Sequence, residues 1–257
     1  MPNYKCIIPR LNDNTFKQFA EPSLKKIGTQ VFQIYDNDKN VHENIFKKYS
    51  AGLETVKQNG LNDTDIVILM HEDVFILDNL FKEKIELLFS EKPEVGLVGV
   101  VGANELTERG GWWMNGSDKL KGHIIQGQDD GGVDKGNHLV KGAIGYFDNV
   151  VCVDGCFMIT KGEVIKNGLK FDDDIYTGND FYDCDLCLTV LEMGYKIACA
   201  DILIFHQSRG MGVFNDAWKT AKDQFINKWN NKSYTLPYTT NQFKVKEIKS
   251  EIIELAL

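Results

Sequence analysis

No apolar run in this chain approaches the ~18 residues of a membrane span, and Met1–Arg10 lacks the layout of a secretory signal. The sequence therefore predicts a chain that neither crosses a bilayer nor is exported. Basic residues are the minority: 29 Lys and Arg face 37 Asp and Glu, a formal charge of −8. That balance argues against nonspecific nucleic-acid binding, which needs a basic surface. Cysteine is sparse, six in 257 residues, which excludes a disulfide scaffold. Several of the six sit in apolar runs, as small buried residues do, and this predicts reduced thiols in a cytoplasmic compartment. Cys184 and Cys187 have CxxC spacing, but no second CxxC and no HxxxH accompany them. Packing on a helix is preferred there over zinc or redox chemistry. Internal repeats, low-complexity segments and a clear linker are also missing.

What is present is enough hydrophobic sequence, 43% of residues, to bury a sizeable core. The length fits one large domain or two small ones. Lys5–Pro9, Gln30–Tyr35, Asp65–Met70 and Val95–Val101 read as strands, and the turn signal Asp36-Asn37-Asp38 ends the second. Phe16–Ile27, Glu43–Asn59 and Asn79–Phe89 fall between them. The last two are helical: Ile45, Phe46, Tyr49, Leu53 and Val56 recur at helix spacing. The near-continuous apolar run of Asp65–Met70 is the kind buried on both faces of a sheet. This alternation predicts an open α/β sheet, mixed but mostly parallel, with helices on both faces.

Gly102 to Asn149 breaks the pattern. It is rich in Gly, Asn and Asp, and a connection so long is uncommon in a compact domain unless it is functional. Val150–Thr160 resumes as a strand. Phe181–Met193 reads as a helix closed by Gly194, Tyr195–Ala200 as a strand and Phe214–Trp229 as a helix. Lys246–Leu255 reads as an amphipathic helix that docks on its own domain or on a second copy of the chain. The preferred organisation is one domain over 1–230 and a C-terminal extension over 231–257.

Three places concentrate chemistry. His71-Glu72-Asp73 directly follows a buried strand, where ligands of open α/β sheets bind. Charge at that place must be paired or solvated. A hard cation with bound phosphates would satisfy it, and so would a solvated turn. Asp172-Asp173-Asp174 and then Asp183 and Asp185 would repel one another unless a cation or donors lie close. On a helix Asp183 and Asp185 point apart, so one of them faces a cleft, or one caps the helix and the other meets solvent. His206 ends the apolar run Ile202–Phe205 and precedes a glycine-containing loop; it is a structural histidine or a ligand. Trp112 and Trp113 either anchor the long segment or line a sugar site, since aromatic faces stack on sugar rings. Asp154 is a satisfied buried acid or a hydrogen-bond partner for a sugar hydroxyl, and Gly155 would permit close approach.

The ordered set Cys6-Ile7-Ile8-Pro9, His71-Glu72-Asp73, Val98-Gly99-Val100-Val101-Gly102, Gly111-Trp112-Trp113, Val153-Asp154-Gly155, Phe171-Asp172-Asp173, Tyr182-Asp183-Cys184-Asp185, Gly194-Tyr195-Lys196 and His206-Gln207-Ser208 resembles the GT-A glycosyltransferases of family two. The resemblance is to the bacterial and viral branch with H-[QE]-D in place of D-x-D, and it runs from Lys5 to Trp229. It implies a Rossmann-like GT-A sheet and a metal-dependent, inverting hexosyltransferase of surface-polysaccharide biosynthesis. Its donor would be a nucleoside-diphosphate sugar, with UDP the common nucleotide, and its acceptor a glycan hydroxyl. By the same resemblance Asp73 and His206 hold Mn²⁺ or Mg²⁺, and His71 and Glu72 serve the donor side. Asp183 is the general base with Asp185 in reserve, and Tyr182 stands where the family has Glu. Asp36 reads the nucleobase, while Pro9 and Arg10 border the same pocket. Asp154 and Gly155 meet the donor sugar, and Trp112 and Trp113 meet the acceptor. Lys228-Trp229 forms a lid over the diphosphate or packs in the core. Such an enzyme would be cytoplasmic, at the inner membrane face. The alternative is an inactive nucleotide-sugar- or glycan-binding module of the same fold. A nucleotidyltransferase is disfavoured, because Cys6–Asn12 has no glycine for a phosphate loop.

Overall fold

The computed structural model describes residues 2–35, 44–106, 111–127, 138–139, 145–207, 214–229 and 242–243, with the backbone alone at 138–139, 149 and 242–243. The first half alternates as the hydrophobic pattern demands. Strand β1 (Tyr4–Pro9) leads through α1 (Asp13–Gln18) and α2 (Ala20–Ile27) to β2 (Gln30–Ile34). Helix α3 (Ile45–Gln58), strands β3 (Ile66–Met70) and β4 (Val74–Ile76), helix α4 (Phe81–Glu91) and strand β5 (Val95–Gly99) follow. Asn12 and Asn44 start α1 and α3 with side chains that accept from backbone N–H groups of the first turn. Phe16–Ile27, which the sequence reads as a helix or a turn-rich connection, falls in two short helices, because Phe19 closes one and opens the next.

The long middle segment is not one loop. It holds β6 (Val101–Ala103), a 3-10 turn at Trp112–Met114, β7 (Leu120–Gly122), β8 (Ile125–Gln126), β9 (His138–Leu139) and β10 (Tyr146–Val150). Then come β11 (Cys152–Val153), β12 (Phe157–Lys161), α5 (Gly162–Lys166), α6 (Tyr182–Glu192), β13 (Lys196–Cys199), β14 (Ile204–His206), α7 (Asp216–Trp229) and β15 (Gln242–Phe243). The strand expected over Val150–Thr160 is therefore three pieces, interrupted by a turn at Asp154 to Cys156.

The main sheet has the order β15-β10-β13-β5-β12-β3-β1-β2. Strands β2, β1 and β3 are parallel neighbours, as are β5 and β13. Strand β12 enters antiparallel between β3 and β5, and β10 is antiparallel to both β13 and β15. The sheet is thus mixed, with more antiparallel pairing than the expected mostly parallel one, because β12 and β10 are supplied by the middle and later segments rather than by βαβ crossovers. Helices lie on both faces. Ile7 of β1 packs so closely on α3 that any side chain at Gly52 would collide with it, whereas Tyr4, facing the other way, meets Phe81 of α4. The core is continuous across both layers and includes the fully buried β3 and β5.

Two small sheets flank the large one: β11-β6-β7 and β4-β14-β8-β9. All six cysteines are free and buried, as expected of packing residues. Beyond residue 230, β15 alone is described, and it adds a strand to the edge of the main sheet at β10. The helix expected over Lys246–Leu255 lies outside the described residues. No helix among the described residues is long and apolar enough to cross a membrane.

Candidate active site at the carboxyl edge of the sheet

Strands β1, β2, β3, β5 and β13 run in one direction, so their carboxyl ends share an edge. The antiparallel β12 begins at that same edge. Three pieces of chain meet there. His71-Glu72-Asp73 leaves β3, and His71 N donates to Cys156 O at 2.9 Å, which seats it beside the Asp154-Gly155 turn before β12. Strand β14 pairs antiparallel with β4 so that His206 stands opposite Val74, and Gln207 N donates to Asp73 O at 3.0 Å. The first turn of α6 brings Tyr182 and Asp183.

The tripeptide after β3 splits by side. His71, Asp73 and His206 offer ligand atoms that all lie within 4.8 Å of one another. Glu72 turns away. Its carboxylate takes the Arg10 guanidinium at 2.9 Å and the backbone N–H groups of Leu11 and Asn12. Arg10 is further held by Gln33 and Asp13. These two side chains, expected at the donor pocket, are thus bound to the protein itself and shape the loop after β1. Pro9 ends β1 at the same edge.

His206 Nε2 lies 3.5 Å from Asp73 Oδ1, an ion-pair separation, and this buried nitrogen has no hydrogen-bond partner. A buried, unpaired imidazole nitrogen aimed at a carboxylate is costly unless a cation completes it. Two imidazoles and one carboxylate suit Mn²⁺ or a similar divalent ion. The local electrostatics agree. Burial raises the Asp73 carboxyl, but the two imidazoles outweigh it and hold the group at about 2. Burial lowers His206, and the Asp73 carboxylate more than reverses this. His71 is lowered, chiefly by burial. His71 is the ligand candidate that sequence reasoning assigned elsewhere. The signal was its place two residues from Asp73, on the short turn that leaves β3.

Asp183 and Asp185, indistinguishable by composition, have separate fates. Asp185 is 0% exposed and accepts from Tyr176 Oη at 2.8 Å, Trp229 Nε1 at 2.8 Å and Lys228 Nζ. Lys228 also pairs with Asp172 at 3.0 Å, and so supplies the donor the crowded acids require. Lys228 and Trp229 are therefore spent in the core, not on a lid. Asp183 accepts from the backbone at Cys184 N, 2.8 Å, and Gly155 N, 3.3 Å, and from the Cys184 side chain. Burial, reinforced by the nearby Asp154, pushes its carboxyl up to about 7 against those donors. Asp154 itself accepts from Cys156 N at 2.8 Å.

Trp112 is 3% exposed and belongs to the core, whereas Trp113 is 37% exposed and stands edge-on to it. Of the two expected acceptor residues, Trp113 alone presents an open ring face. Asp36 lies outside the described residues. Tyr35 beside it is exposed at the end of β2 and faces Arg10.

The mixed α/β sheet with helices on both faces is the GT-A glycosyltransferase fold, and the His/Asp/His trio lies at its carboxyl edge. The sequence over residues 30–236 matches the glycosyltransferase-like family, and the chain belongs to that family. In structure it is similar to GalNAc-T7 solved with UDP, GalNAc and Mn²⁺, at 8% identity and a TM-score of 0.56. That likeness covers 89% of this chain and 48% of GalNAc-T7, so the chain spans about half the length of that relative. A Drosophila β-1,4-galactosyltransferase 7 mutant with manganese, UDP-Gal and xylobiose is similar at 13% identity and a TM-score of 0.43, over 85% of this chain and 79% of that one. No curated protein matches the chain in sequence.

Proposed function

We propose that this glycosyltransferase moves a sugar from a UDP-sugar to a glycan hydroxyl with inversion at the anomeric carbon, and that it depends on a divalent cation. The observation that carries this reading is the trio His71, Asp73 and His206 at the carboxyl edge of the sheet, with its unpaired buried nitrogen. These three residues would hold the cation, which when bound neutralises charge on the leaving diphosphate.

The rest of the chemistry belongs to the chain. Asp183 accepts the proton of the acceptor hydroxyl; a carboxyl raised to about 7 is well matched to that task near neutral pH. Asp154 and the backbone at Gly155 face the donor sugar. Arg10 and Glu72 act by fixing the Leu11-Asn12 backbone beside the nucleotide rather than by touching it. Asp36 reads the nucleobase, and Trp113 offers its ring to the acceptor sugar. The six reduced, buried thiols suit a cytoplasmic enzyme.

The test is release of UDP from a panel of UDP-sugars, with and without Mn²⁺. Release that requires Mn²⁺ and is abolished by a chelator supports the proposal. Turnover unaffected by the chelator rejects the cation. Binding without any turnover across donors and acceptors favours the inactive module.

A further inference from the structure

The hydroxyl of Tyr182 lies 2.6 Å from Nε2 of His71. An imidazole that ligates a cation presents one bare nitrogen, and a hydrogen bond at the other nitrogen decides which one it is. We propose that Tyr182 is a positioning residue for the cation site: by accepting a proton bond from His71 Nε2, it leaves Nδ1 unprotonated for the cation. The inference rests on the cation reading above and names the residue that makes His71 competent for it.

The geometry around the hydroxyl shows that its place is built. The Tyr182 ring is stacked on Tyr49 at 5.8 Å and meets Phe46 edge-on at 6.3 Å, which fixes its direction. A Cβ at residue 155 would overlap the hydroxyl itself, so Gly155 is the residue that lets the contact form. His206, the other imidazole of the trio, has no such partner at Nε2. Tyr182 also follows Phe181, a non-glycine residue at φ 67°, and precedes Asp183 in the first turn of α6. A strained residue held in place by Trp218 and Phe225 of α7 keeps that turn in register. One turn therefore carries both the acid and the group that orients a cation ligand.

The experiment uses the full chain and Mn²⁺ alone, without donor, and reads free Mn²⁺ by electron paramagnetic resonance. Tyr182→Phe removes only the hydroxyl and is expected to weaken Mn²⁺ binding about tenfold, the usual cost of losing an orienting partner. Gly155→Ala displaces the hydroxyl instead of deleting it and is expected to act in the same direction. Long-range ¹H–¹⁵N spectra of the metal-free wild type should show His71 as the Nε2–H tautomer, with a mixture in Tyr182→Phe. Wild-type spectra need no variant to fold, and an Nδ1–H tautomer in them overturns the inference. Unchanged Mn²⁺ affinity in Tyr182→Phe overturns it too, while leaving the cation site itself intact. A wild-type chain that binds no Mn²⁺ overturns the cation reading and this inference together.

Discussion

The guanidinium of Arg10 and the carboxylate of Glu72 form a buried ion pair at 2.9 Å, joining the end of β1 to the chain just beyond β3. Removing Glu72 leaves the buried guanidinium with Gln33 and the exposed Asp13 as its remaining side-chain hydrogen-bond partners. Glu72→Ala is therefore expected to destabilise the fold by about 3 kcal/mol, as for other broken buried pairs. The loss includes the two backbone donors at Leu11 and Asn12 that the carboxylate satisfies. Urea unfolding measures it, and a change below about 1 kcal/mol, the range of an exposed pair, would show that the pair is not a structural clamp.

Asp183 links stability to activity through one proton. Its carboxyl is raised in the folded protein to about 7, chiefly by burial. A group raised on folding binds more protons in the native state, so stability falls as pH rises from the unfolded value through 7. Asp183→Asn should abolish transfer and yet raise the melting temperature at pH 8, with little gain at pH 5. In the wild type, kcat/KM should climb with pH and level off above about 7. Equal melting temperatures of variant and wild type at both pH values would contradict the perturbed acid.

Much of the fold was legible before the structure. The apolar runs at β3 and β5 and the helical spacing in α3 gave the sheet its first half, because burial on both faces leaves a pattern in the residues themselves. Strand direction leaves none, and so the antiparallel entry of β12 was not visible. Nor were the three pieces into which the strand expected over Val150–Thr160 falls. At the site, His71 and Asp73 announced themselves by following a buried strand. Their meeting with His206 depends on β4 and β14, three residues each, too short for any periodicity. Nor could sequence say that Lys228, from a helix far along the chain, would occupy Asp185 and leave Asp183 open.

That occupancy is itself testable. Asp185 is raised, mainly by burial, although Lys228, Tyr176 and Trp229 all favour its charged form. Lys228→Met strands the carboxylate without a cation and should cost about 3 kcal/mol at pH 8. The cost should shrink as pH falls and the acid takes up a proton. Adding Asp185→Asn should recover much of the loss, a coupling that a double-mutant cycle in denaturant measures directly. Strictly additive losses would mean that the two side chains do not act as a pair.

Asp73 and His206 differ from these clamps in what they do without a ligand. His206 Nε2 has no hydrogen-bond partner and sits 3.5 Å from Asp73 Oδ1. Apart from the attraction that keeps Asp73 charged, the pair makes no hydrogen bond that a neutral amide would lose. His206→Gln is expected to lower metal-free stability by about 1–2 kcal/mol, the loss of that attraction. With Mn²⁺ the difference grows. A cation at a hundred times its dissociation constant stabilises the native state by about 2.7 kcal/mol, which the wild type should show as a raised melting temperature. His206→Gln and Asp73→Asn should each lose most of that increment, and a chelator should return the wild type to its metal-free value. If either variant keeps the full Mn²⁺-dependent rise, that side chain does not hold the cation, and the trio must be redrawn around the remaining two.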